Sequence, residues 1–381
     1  MKKVSVGIFN RYWNVFGGGE RHVGAVAALL SANPGFDVCL IGIEPFDVAV
    51  LGRRFALDFS ACRSLVWPAS ELEQSALTRG YDLFINSTHY SMLPSAARRS
   101  VYFCFFPREL PAHDPYHPRS FGALRRLFER RAPATHWLDS YDVFVANSGF
   151  TAGWIRRRWS KKAVVLSPPI DTGVFTPPAE GAPRRPVILS VGRFFSEGHN
   201  KKHDVMIKVF RAMIDRGSLP RTWRLVLAGS RHTEKASHVA YYDDLLSLAR
   251  GYPVEFAPDI PFQELLGLYQ TSSIYWHAAG FGESEEDTPE RFEHFGITTC
   301  EAMACGLVPV VIDSAGQRGL VAEGRTGYTF RTEEELAAKT LQAIRDVESG
   351  RAVSLRRAAV ASVKDYSPEV FRRRVRRIFG G

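Results

Sequence analysis

Residues 273–306 read SIYWHAAGFGESEEDTPERFEHFGITTCEAMACG and contain three patterns in succession. A short apolar run comes first, an acidic and polar stretch follows, and a helix-like run ends at Gly306. A glycine directly after such a run is typical of a helix C-terminus. The segment therefore predicts a strand, a loop and a helix, which together are the repeating unit of an α/β sheet.

Two carboxylates, Glu293 and Glu301, flank the predicted start of this helix. On one continuous helix they would be about 80° apart around the axis and about 12 Å apart along it, which is too far to converge on one small ligand. A helix that begins near Gly296 instead leaves Glu293 in the preceding loop and Glu301 about one turn inside. Because the N–H groups of the helix N-terminus then lie between the carboxylates, we predict an anion site there.

The composition is that of a globular protein. The chain has 381 residues, of which 45% are hydrophobic and 23% are charged, so composition gives no reason to expect disorder. Its length favours two domains over one. An excess of 49 basic over 40 acidic residues gives a net charge of +9, which favours anionic partners such as phosphates, nucleic acid or an anionic membrane surface.

The cysteines and the N-terminus indicate a cellular compartment. The five cysteines are scattered and form no CxxC pair, which argues against a disulfide framework and against a zinc site. The first residues, MKKVSVGIFNRYWN, contain an apolar run that is too short for a signal-peptide core. No run approaches the roughly 18 apolar residues of a membrane span. We therefore predict a cytoplasmic protein that is not integral to a membrane.

Short apolar runs alternate with amphipathic segments, which predicts parallel sheets with helices on both faces. The predicted strands are 4–9, 37–43, 82–86, 101–106, 142–147 and 163–168 in the first half, and 186–192, 223–229, 253–258, 273–279, 308–313 and 327–330 in the second. Helices are predicted over 20–32 and 148–159, the latter with Ser148 as its N-cap. The predicted fold class is therefore α/β with doubly wound domains.

A proline-rich stretch, SPPIDTGVFTPPAEGAPRRP, separates the two series of strands. We predict a Rossmann-like N-terminal domain over 1–170, a linker over 171–186, a Rossmann-like C-terminal domain over 187–365 and a terminal helix over 366–381. An apolar stripe on this helix predicts that it packs across the domain junction. The stripe consists of Val370, Phe371, Val375, Ile378 and Phe379. Ligands of doubly wound folds bind beyond the carboxyl ends of the strands.

Three basic residues follow the first strand of the second half. Arg193 comes directly after the strand, and Lys201 and Lys202 open the next helix. A guanidinium offers two donors in one plane and an ammonium offers a compact positive charge, a combination that suits a diphosphate. For any one of these residues, a solvated basic loop is the alternative.

A glycine cluster near the N-terminus is a second candidate for close ligand contact. Gly17, Gly18 and Gly19 precede a predicted helix and would let the backbone approach a phosphate or a sugar. Their spacing does not match GxGxxG, which disfavours a nicotinamide-binding fold.

The start of the helix near Gly296 offers further ligand contacts. The N–H groups of Gly296, Ile297 and Thr298 would reach a phosphate. Glu301 would accept hydrogen bonds from a ribose diol, and Glu293 would accept them from the hydroxyls of a second sugar. A helix start stabilised by acidic residues is the alternative, but Glu301 lies too deep in the helix to act as a cap.

These residues resemble a known family. The spacing of Glu293 and Glu301 in HFGITTCEAMACG resembles the E-x7-E signature of glycosyltransferase family 4. GGGERHV, VANSGFT, VVLSPPIDTGVF, SVGRFF, NKKHDVMIKVFRAM, LVLAGS and ELLGLYQTSSIYWHAAGFG extend the resemblance over nearly the whole chain in the expected order. The resemblance implies the GT-B fold, in which two Rossmann-like domains face a cleft. The N-terminal domain would bind the acceptor and the C-terminal domain the nucleotide sugar.

The resemblance also implies roles for individual residues. Arg193 and Lys201 would hold the donor diphosphate, Glu301 the ribose, and Glu293 would lie near the donor sugar. The catalytic residues would therefore be Glu293, Arg193 and Lys201. The remaining donor contacts would be Gly17 and Gly18, the backbone at Asp259 and Ile260 near the base, and Phe295, Gly296, Ile297 and Thr298 at the sugar and phosphate.

Two positions depart from the family pattern. Lys202 lies where the family often has glycine. Phe105, in CFFPRE, lies where many members have a histidine before an aromatic residue and proline. His89 and His113 are candidates to replace that histidine, and each can equally be an ordinary polar loop residue.

The implied reaction is a retaining hexosyl transfer without a metal. No DxD pattern follows a strand, and residues 283–290, ESEEDTPE, read as an exposed acidic loop. We expect no cofactor apart from the GDP- or UDP-linked donor, which is a co-substrate. Basic residues and the helix end would neutralise the departing diphosphate. The family suggests a front-face attack in which the departing phosphate takes the acceptor's proton and Glu293 positions the sugar.

The sequence leaves the substrates open. The donor sugar is of the mannose or glucose type, and the acceptor is a glycan, a lipid-linked sugar or a small glycoside. Residues 119–133, RSFGALRRLFERRAP, would place an apolar side and several arginines on an anionic membrane surface, and a charged helix that covers the domain is an equal alternative. The residues in question are Phe121, Leu124 and Phe128 with Arg125, Arg126, Arg130 and Arg131. Peripheral contact with the inner membrane face is therefore one of two alternatives for this segment.

Two other functions compete with this one. A sugar-nucleotide epimerase can share the fold, but it would turn over without an acceptor. A nucleic-acid-binding protein would explain the charge of +9, but the arginines are scattered and no known binding module is present. We therefore expect no nucleic-acid partner.

Overall fold

Apolar runs form the strands of two parallel sheets in the computed structural model of the chain, which describes residues 2–112, 114, 136–179 and 182–380. The chain divides into two units, and each sheet belongs to one of them. Met1–Pro169 and Phe371–Gly381 form the first unit, and Ile170–Val370 form the second. The functions predicted for the two domains stay predictions.

The described strands of the first unit form one parallel sheet. They are Val4–Phe9 (β1), Phe36–Gly42 (β2), Arg63–Val66 (β3), Leu83–Asn86 (β4), Arg99–Cys104 (β5), Val143–Ala146 (β6) and Ala163–Val165 (β7). Their order across the sheet is β3-β2-β1-β4-β5-β6-β7. The central strands β1 and β4 are almost wholly buried, as expected for a sheet with both faces covered.

Helices cover this sheet. The described α-helices of the first half are Gly18–Ser31 (α1), Val48–Phe55 (α2), Glu71–Leu77 (α3) and Gly149–Trp159 (α4), with 3-10 turns at Trp13–Val15, Thr78–Gly80 and Trp137–Ser140. Val23 and Val26 of α1 are buried in one core with Val6 and Ile8 of β1. The prediction of Ser148 as the N-cap of α4 is confirmed, because its Oγ accepts a hydrogen bond from the Thr151 N–H over 3.1 Å.

The described strands of the second unit also form one parallel sheet. They are Val187–Val191 (β8), Arg224–Gly229 (β9), Val254–Pro258 (β10), Ile274–His277 (β11), Val308–Ile312 (β12) and Tyr328–Phe330 (β13). Their order is β10-β9-β8-β11-β12-β13.

The remaining helices cover the second sheet and end the chain. They are His203–Asp215 (α5), Ala236–Ala249 (α6), Phe262–Thr271 (α7), Ile297–Ala304 (α8), Ala315–Arg318 (α9), Glu333–Glu348 (α10), Ala352–Val363 (α11) and Pro368–Phe379 (α12), with 3-10 turns at Pro289–Arg291 and Lys364–Tyr366. The apolar stripe of α12 from Phe371 onward is buried in the core of the first unit. Val370 is half-buried.

Each sheet reverses its strand order at one point. In the first sheet β1 lies between β2 and β4, so the loops after β1 and β4 leave neighbouring strands toward opposite sides. In the second sheet β8 lies between β9 and β11 in the same way. Ligands of doubly wound sheets bind in the crevice that forms beyond such a reversal, which directs attention to the loops after β8 and β11.

The predicted α/β fold class is confirmed, and each predicted strand is present within a few residues of its expected bounds. The strand β3 was not predicted, because all four of its residues are exposed and no apolar pattern marks it. The helix start near Gly296 is confirmed, since Gly296 is the N-cap of α8. Gly306 follows the end of that helix with φ +74°, as a C-terminal glycine should.

The five cysteines are free thiols. Among the helices that the structure describes, none is both long enough and apolar enough to cross a membrane.

Candidate functional site

The strand-order reversal of the second sheet brings two charged side chains together. Lys201, in the loop after β8, donates from Nζ to Oε2 of Glu293, in the loop after β11, over 2.6 Å. Only 15% of the Lys201 side chain and 20% of the Glu293 side chain are exposed. The structure therefore joins two of the residues that the sequence singles out, although 92 positions separate them.

Glu293 is an ionised carboxylate in this setting. Burial alone would raise its pKa, but the positive charge of Lys201 and the contact with His277 outweigh burial and hold the pKa well below its usual range. A charge-assisted hydrogen bond of this kind is stronger than a neutral one, and low exposure limits its screening by salt. The pair presents a positive ammonium and a negative carboxylate next to each other at the strand ends.

Glycine at the end of β8 makes room for Lys201. A Cβ on Gly192 would lie 2.6 Å from Cγ of Lys201, so the aliphatic stem of the lysine rests directly on the glycine. The next residue, Lys202, has φ +55° and precedes α5. This left-handed conformation favours glycine, which accounts for the glycine that the family pattern has at this position. The Nζ of Lys202 donates to Oε1 of Glu283 over 2.7 Å.

The loop that carries Glu293 is held by backbone contacts. The Gly316 N–H donates to the Glu293 carbonyl oxygen over 2.9 Å, and a Cβ on Gly316 would lie 2.5 Å from the backbone of His294. Gly296, at the end of the loop, has φ +111°, and its Cβ would lie 2.4 Å from Nε2 of Gln317. No other residue type fits either glycine position without displacing these neighbours.

Glu301 lies about one turn inside the helix α8, in the second unit. Glu301 is 7% exposed, and its Oε2 accepts a hydrogen bond from the Tyr269 hydroxyl over 3.0 Å. Near the start of the helix, the Thr298 Oγ1 accepts a hydrogen bond from the Tyr275 hydroxyl over 2.8 Å. The two tyrosines fix the side chains that flank the N-terminus of α8, where backbone N–H groups lack intrahelical acceptors.

Other predicted donor residues lie at neighbouring strand ends. Arg193 follows β8, is exposed, and has its guanidinium 4.7 Å from the centre of the Phe195 ring. Asp259 follows β10 with φ +52°, and its carboxylate accepts a hydrogen bond from the Arg231 N–H over 3.2 Å. Ile260 is half-buried against the adjoining core. The structure thus places the head group of Arg193 on an aromatic ring rather than on the Lys201–Glu293 pair.

The residues between the two glutamates differ in exposure. Phe295 is 5% exposed and packs against Tyr366, with ring centroids 5.1 Å apart. Ile297 and Thr298 are half-buried at the start of α8. Phe295 is therefore largely a core residue, whereas the first turn of the helix keeps part of its surface accessible.

The glycine cluster belongs to the first unit. The Gly17 N–H donates to Oε2 of Glu20 over 3.1 Å, and Gly18 begins α1. A Cβ on Gly19 would lie 3.1 Å from the ring of Phe105, the residue that stands where family members have histidine. A planar ring therefore packs on the glycine-rich turn, and Phe105 offers no proton-transfer group there.

The two histidines that we considered as replacements differ in what the structure shows. His89 is half-buried in the loop after β4 and stacks on Tyr90, with ring centroids 3.8 Å apart. Burial lowers its pKa to about 4, so it is neutral at pH 7. His113 lies outside the described residues, as does the whole of segment 119–133 with its proposed membrane contact.

The acidic loop 283–290 makes ion pairs with basic neighbours. Glu283 accepts from Lys202 and from Arg291, and Glu285 accepts from Arg318 over 2.9 Å. Within the residues that the structure describes, no group of three His, Cys, Asp or Glu side chains could hold a metal ion.

Sequence reasoning missed His277, the last residue of β11. The ring is 2% exposed, and its Nε2 lies 3.4 Å from Oε2 of Glu293. Burial lowers the pKa of His277, and the carboxylate of Glu293 opposes that shift only in part. A histidine at the carboxyl end of an otherwise apolar strand, SIYW, was the available signal.

Two sequence-family descriptions match the chain. Residues 16–174 match the one described as Glycosyltransferase Family 4, and residues 177–359 match the one described as Glycosyl transferases group 1. Together the two matches leave only the ends of the chain and two residues between them uncovered.

A curated relative and two solved structures are similar to the chain. The relative, from Xenopus laevis, is named GDP-Man:Man(3)GlcNAc(2)-PP-Dol alpha-1,2-mannosyltransferase; it is 26% identical over 248 residues, which are 62% of this chain and 48% of the relative. The chain thus spans about half the length of the curated relatives it matches first.

The solved structures match over nearly the whole chain. A glycosyltransferase from Rickettsia africae is 15% identical with a TM-score of 0.73, and the match covers 99% of this chain and 98% of that one. Anabaena HepE, solved in complex with UDP and glucose, is 14% identical with a TM-score of 0.69 and coverage of 99% and 100%. At this level of identity the likeness establishes the fold.

Proposed function

Because this chain belongs to glycosyltransferase family 4 and has the GT-B fold, we propose that it transfers a hexosyl group from a nucleotide diphosphate sugar to an acceptor. One observation carries the proposal: the half-buried Lys201–Glu293 pair lies where the strand order of the second sheet reverses, close in sequence to the N-terminus of α8. A cation, an ionised carboxylate and a helix end suit a ligand that carries both a diphosphate and sugar hydroxyls.

In this proposal the second unit holds the donor. Lys201 and Arg193 neutralise the diphosphate, and the first-turn N–H groups of α8 assist them. Glu301, steadied by Tyr269, accepts hydrogen bonds from the ribose diol, and Glu293 accepts them from the donor sugar. The backbone at Ile260 receives the base, and Phe295 to Thr298 line the sugar and phosphate.

The proposed chemistry is a front-face displacement that retains the anomeric configuration. The bond between the anomeric carbon and the diphosphate oxygen breaks, and the acceptor oxygen forms its bond to that carbon on the same face. The departing phosphate takes the proton of the acceptor hydroxyl. Preorganised positive charge at the leaving diphosphate supplies most of the stabilisation of the transition state. Glu293 orients the sugar and does not become covalently attached to it.

The donor proposed first is GDP-mannose, with UDP-glucose second. The name of the Xenopus relative supports mannose, and the UDP and glucose bound to HepE support the alternative. The acceptor proposed is a glycan, on a lipid or free, since the same relative is named for a lipid-linked glycan. Cytoplasmic location and peripheral membrane contact stay proposals, because the segment behind the latter lies outside the described residues.

A transfer assay tests the proposal. The full chain is incubated with GDP-mannose or UDP-glucose, with and without a panel of mannosyl and glucosyl oligosaccharides, and the nucleoside diphosphate is quantified. We expect release that depends on the acceptor, and a product whose new linkage keeps the donor's anomeric configuration by NMR. A donor sugar that changes configuration without any acceptor would indicate the epimerase. An inverted linkage would overturn the retaining mechanism.

A further inference from the structure

His277 is buried without a hydrogen-bond partner. Its side chain is 2% exposed, and neither ring nitrogen makes a hydrogen bond. A buried polar group that is left unpaired destabilises the folded state. The fold tolerates this arrangement at the end of β11, next to the ionised Glu293, so the position of the imidazole needs an explanation.

One oxygen of Glu293 has two competing neighbours. Lys201 Nζ lies 2.6 Å from Oε2, and His277 Nε2 lies 3.4 Å from the same atom. The lysine distance is that of a strong charge-assisted bond, and the histidine distance is just beyond a normal hydrogen bond. In this structure the lysine holds the carboxylate, and a small movement of Glu293 would bring it to the imidazole.

The charged and titratable groups around the imidazole come from three elements. Lys201 precedes α5, His203 begins it, and Glu293 comes from the loop before α8. Burial lowers the pKa of His277 most strongly, the carboxylate of Glu293 raises it, and the positive charge of Lys201 lowers it further. Burial lowers the pKa of His203 to about 3, so His203 contributes no positive charge near pH 7. The lysine charge is therefore one of three influences on the protonation of His277, beside burial and the carboxylate of Glu293.

Donor binding would redirect that charge. A lysine that turns to a diphosphate leaves Glu293 with less positive charge beside it, and a largely buried carboxylate without a partner is costly. We propose that His277 is a positioning residue, which takes over Glu293 when Lys201 turns to the donor diphosphate. The imidazole takes one proton from solvent as it does so, and the resulting imidazolium donates from Nε2 to Oε2. This inference rests on the proposed function of the site.

Proton uptake on donor binding tests the inference. The full chain is titrated by calorimetry with GDP-mannose and, separately, with UDP-glucose at pH 7, in two buffers with different ionisation enthalpies. A nucleotide sugar is used because its phosphates do not titrate near this pH. We expect the wild-type chain to take up a measurable fraction of a proton per donor bound.

Two substitutions separate positioning from titration. His277→Gln places an amide donor near the position of Nε2 and cannot take up a proton, so we expect donor affinity within about 3-fold of wild type and no proton uptake. His277→Leu removes the hydrogen-bond donor of the side chain, and we expect the affinity for the nucleotide sugar to fall about 10-fold. His22→Gln is the matched control, because His22 is also buried with neither ring nitrogen hydrogen-bonded, and it should leave proton uptake unchanged.

The outcomes distinguish this inference from the function on which it rests. Donor binding without proton uptake in the wild type, or equal uptake in His277→Gln, would overturn the inference and leave the donor site intact. Failure of the wild-type chain to bind either nucleotide sugar would overturn both.

Discussion

The loops that meet at the strand-order reversal make different contacts in the two sheets. In the second unit a lysine after β8 and a glutamate after β11 meet in an ion pair of low exposure. In the first unit the corresponding loops meet through a neutral contact, in which the Arg11 N–H donates to the Thr88 Oγ1 over 3.1 Å. The arginine side chain turns away to Glu71, which is half exposed.

The difference separates what topology determines from what side chains determine. Both sheets are parallel and reverse their order once, so each has a crevice beyond its strand ends. Among the residues that the structure describes, the second crevice pairs opposite charges across the reversal and has a histidine beside the pair. The first crevice has a glycine-rich turn under an aromatic ring. We therefore assign the charged donor to the second unit and the acceptor to the first as a proposal.

The largest effect should come from removing the cation of the second crevice. We expect Lys201→Met to lower transfer by about 100-fold or more, because the developing charge on the leaving diphosphate loses a preorganised partner. The measurement is the rate of nucleoside diphosphate release at saturating acceptor. The matched control is Lys208→Met, which removes an exposed lysine of α5 that pairs with Asp204.

The control should retain near wild-type transfer. Equal losses in Lys201→Met and Lys208→Met would show that general charge, rather than the charged crevice, drives the reaction.

The next effect concerns the glycine that begins α8. Gly296→Ala places a Cβ 2.4 Å from Gln317 at φ +111°, so we expect it to lower the free energy of unfolding by about 2–3 kcal/mol. Gly267→Ala is the control within α7, where a Cβ would meet no atom within 4 Å. For Gly267→Ala we expect the free energy of unfolding to rise by about 0.5–1 kcal/mol. Urea unfolding measures both variants, and similar stabilities would show that the loop before α8 is not constrained as described.

A third prediction concerns acid and the first unit. Burial holds the pKa of His22 at about 3, below its ordinary value of 6.5. As pH falls, the imidazole therefore takes up its proton in the unfolded chain before it does so in the folded chain. The contribution of His22 to the free energy of unfolding is lost progressively below about pH 6.5. At pH 5 the loss is on the order of 2 kcal/mol. In His22→Leu, the difference between the unfolding free energies at pH 7 and pH 5 should be smaller by that amount.

His238→Leu serves as the comparison for the acid prediction. His238 lies in α6 of the second unit, and its Nδ1 accepts from the Ser196 N–H over 3.3 Å. This substitution shows the effect of replacing a hydrogen-bonded imidazole with leucine. An unchanged pH dependence in His22→Leu would contradict the assignment of a neutral, buried imidazole.

The smallest effect tests the glycine turn of the first crevice. Gly19→Ala brings a Cβ to 3.1 Å from the Phe105 ring, a side chain that can shift. We expect a change of less than about 1 kcal/mol in stability, because helix propensity offsets the tighter contact. Gly153→Ala in α4, where a Cβ would meet nothing within 4 Å, is the control and should stabilise. Thermal unfolding of both variants provides the comparison, and a large loss in Gly19→Ala would mean that the ring is fixed.

The sequence predicts the fold well, because parallel strands buried on both faces leave unbroken apolar runs. It does not reveal β3, whose four residues are all exposed. The helix start at Gly296 follows from its glycine and from the spacing of the two glutamates. The pairing of Lys201 with Glu293 follows from topology, since neighbouring parallel strands end at one edge.

Other features of the site cannot be predicted from the sequence. His277 sits at the end of an apolar run, and its approach to Glu293 depends on how the loop before α8 folds back to the end of β11. Arg193 was predicted from its position after β8, but the sequence cannot show that its guanidinium rests on Phe195. The support of Glu301 by Tyr269 likewise depends on how α7 packs beside α8. Each of these is a packing relation between residues that are distant in the chain.

We propose that the second unit binds a nucleotide diphosphate sugar through Lys201, Glu293 and Glu301. The most direct measurement is the thermal unfolding of the full chain with a panel of nucleotide sugars, alongside Glu301→Ala under the same conditions. We expect at least one nucleotide sugar to raise the Tm of the wild type, as ligand binding to the folded state requires, and to raise that of Glu301→Ala much less. No increase with any nucleotide sugar, or an equal increase in the variant, would contradict the claim.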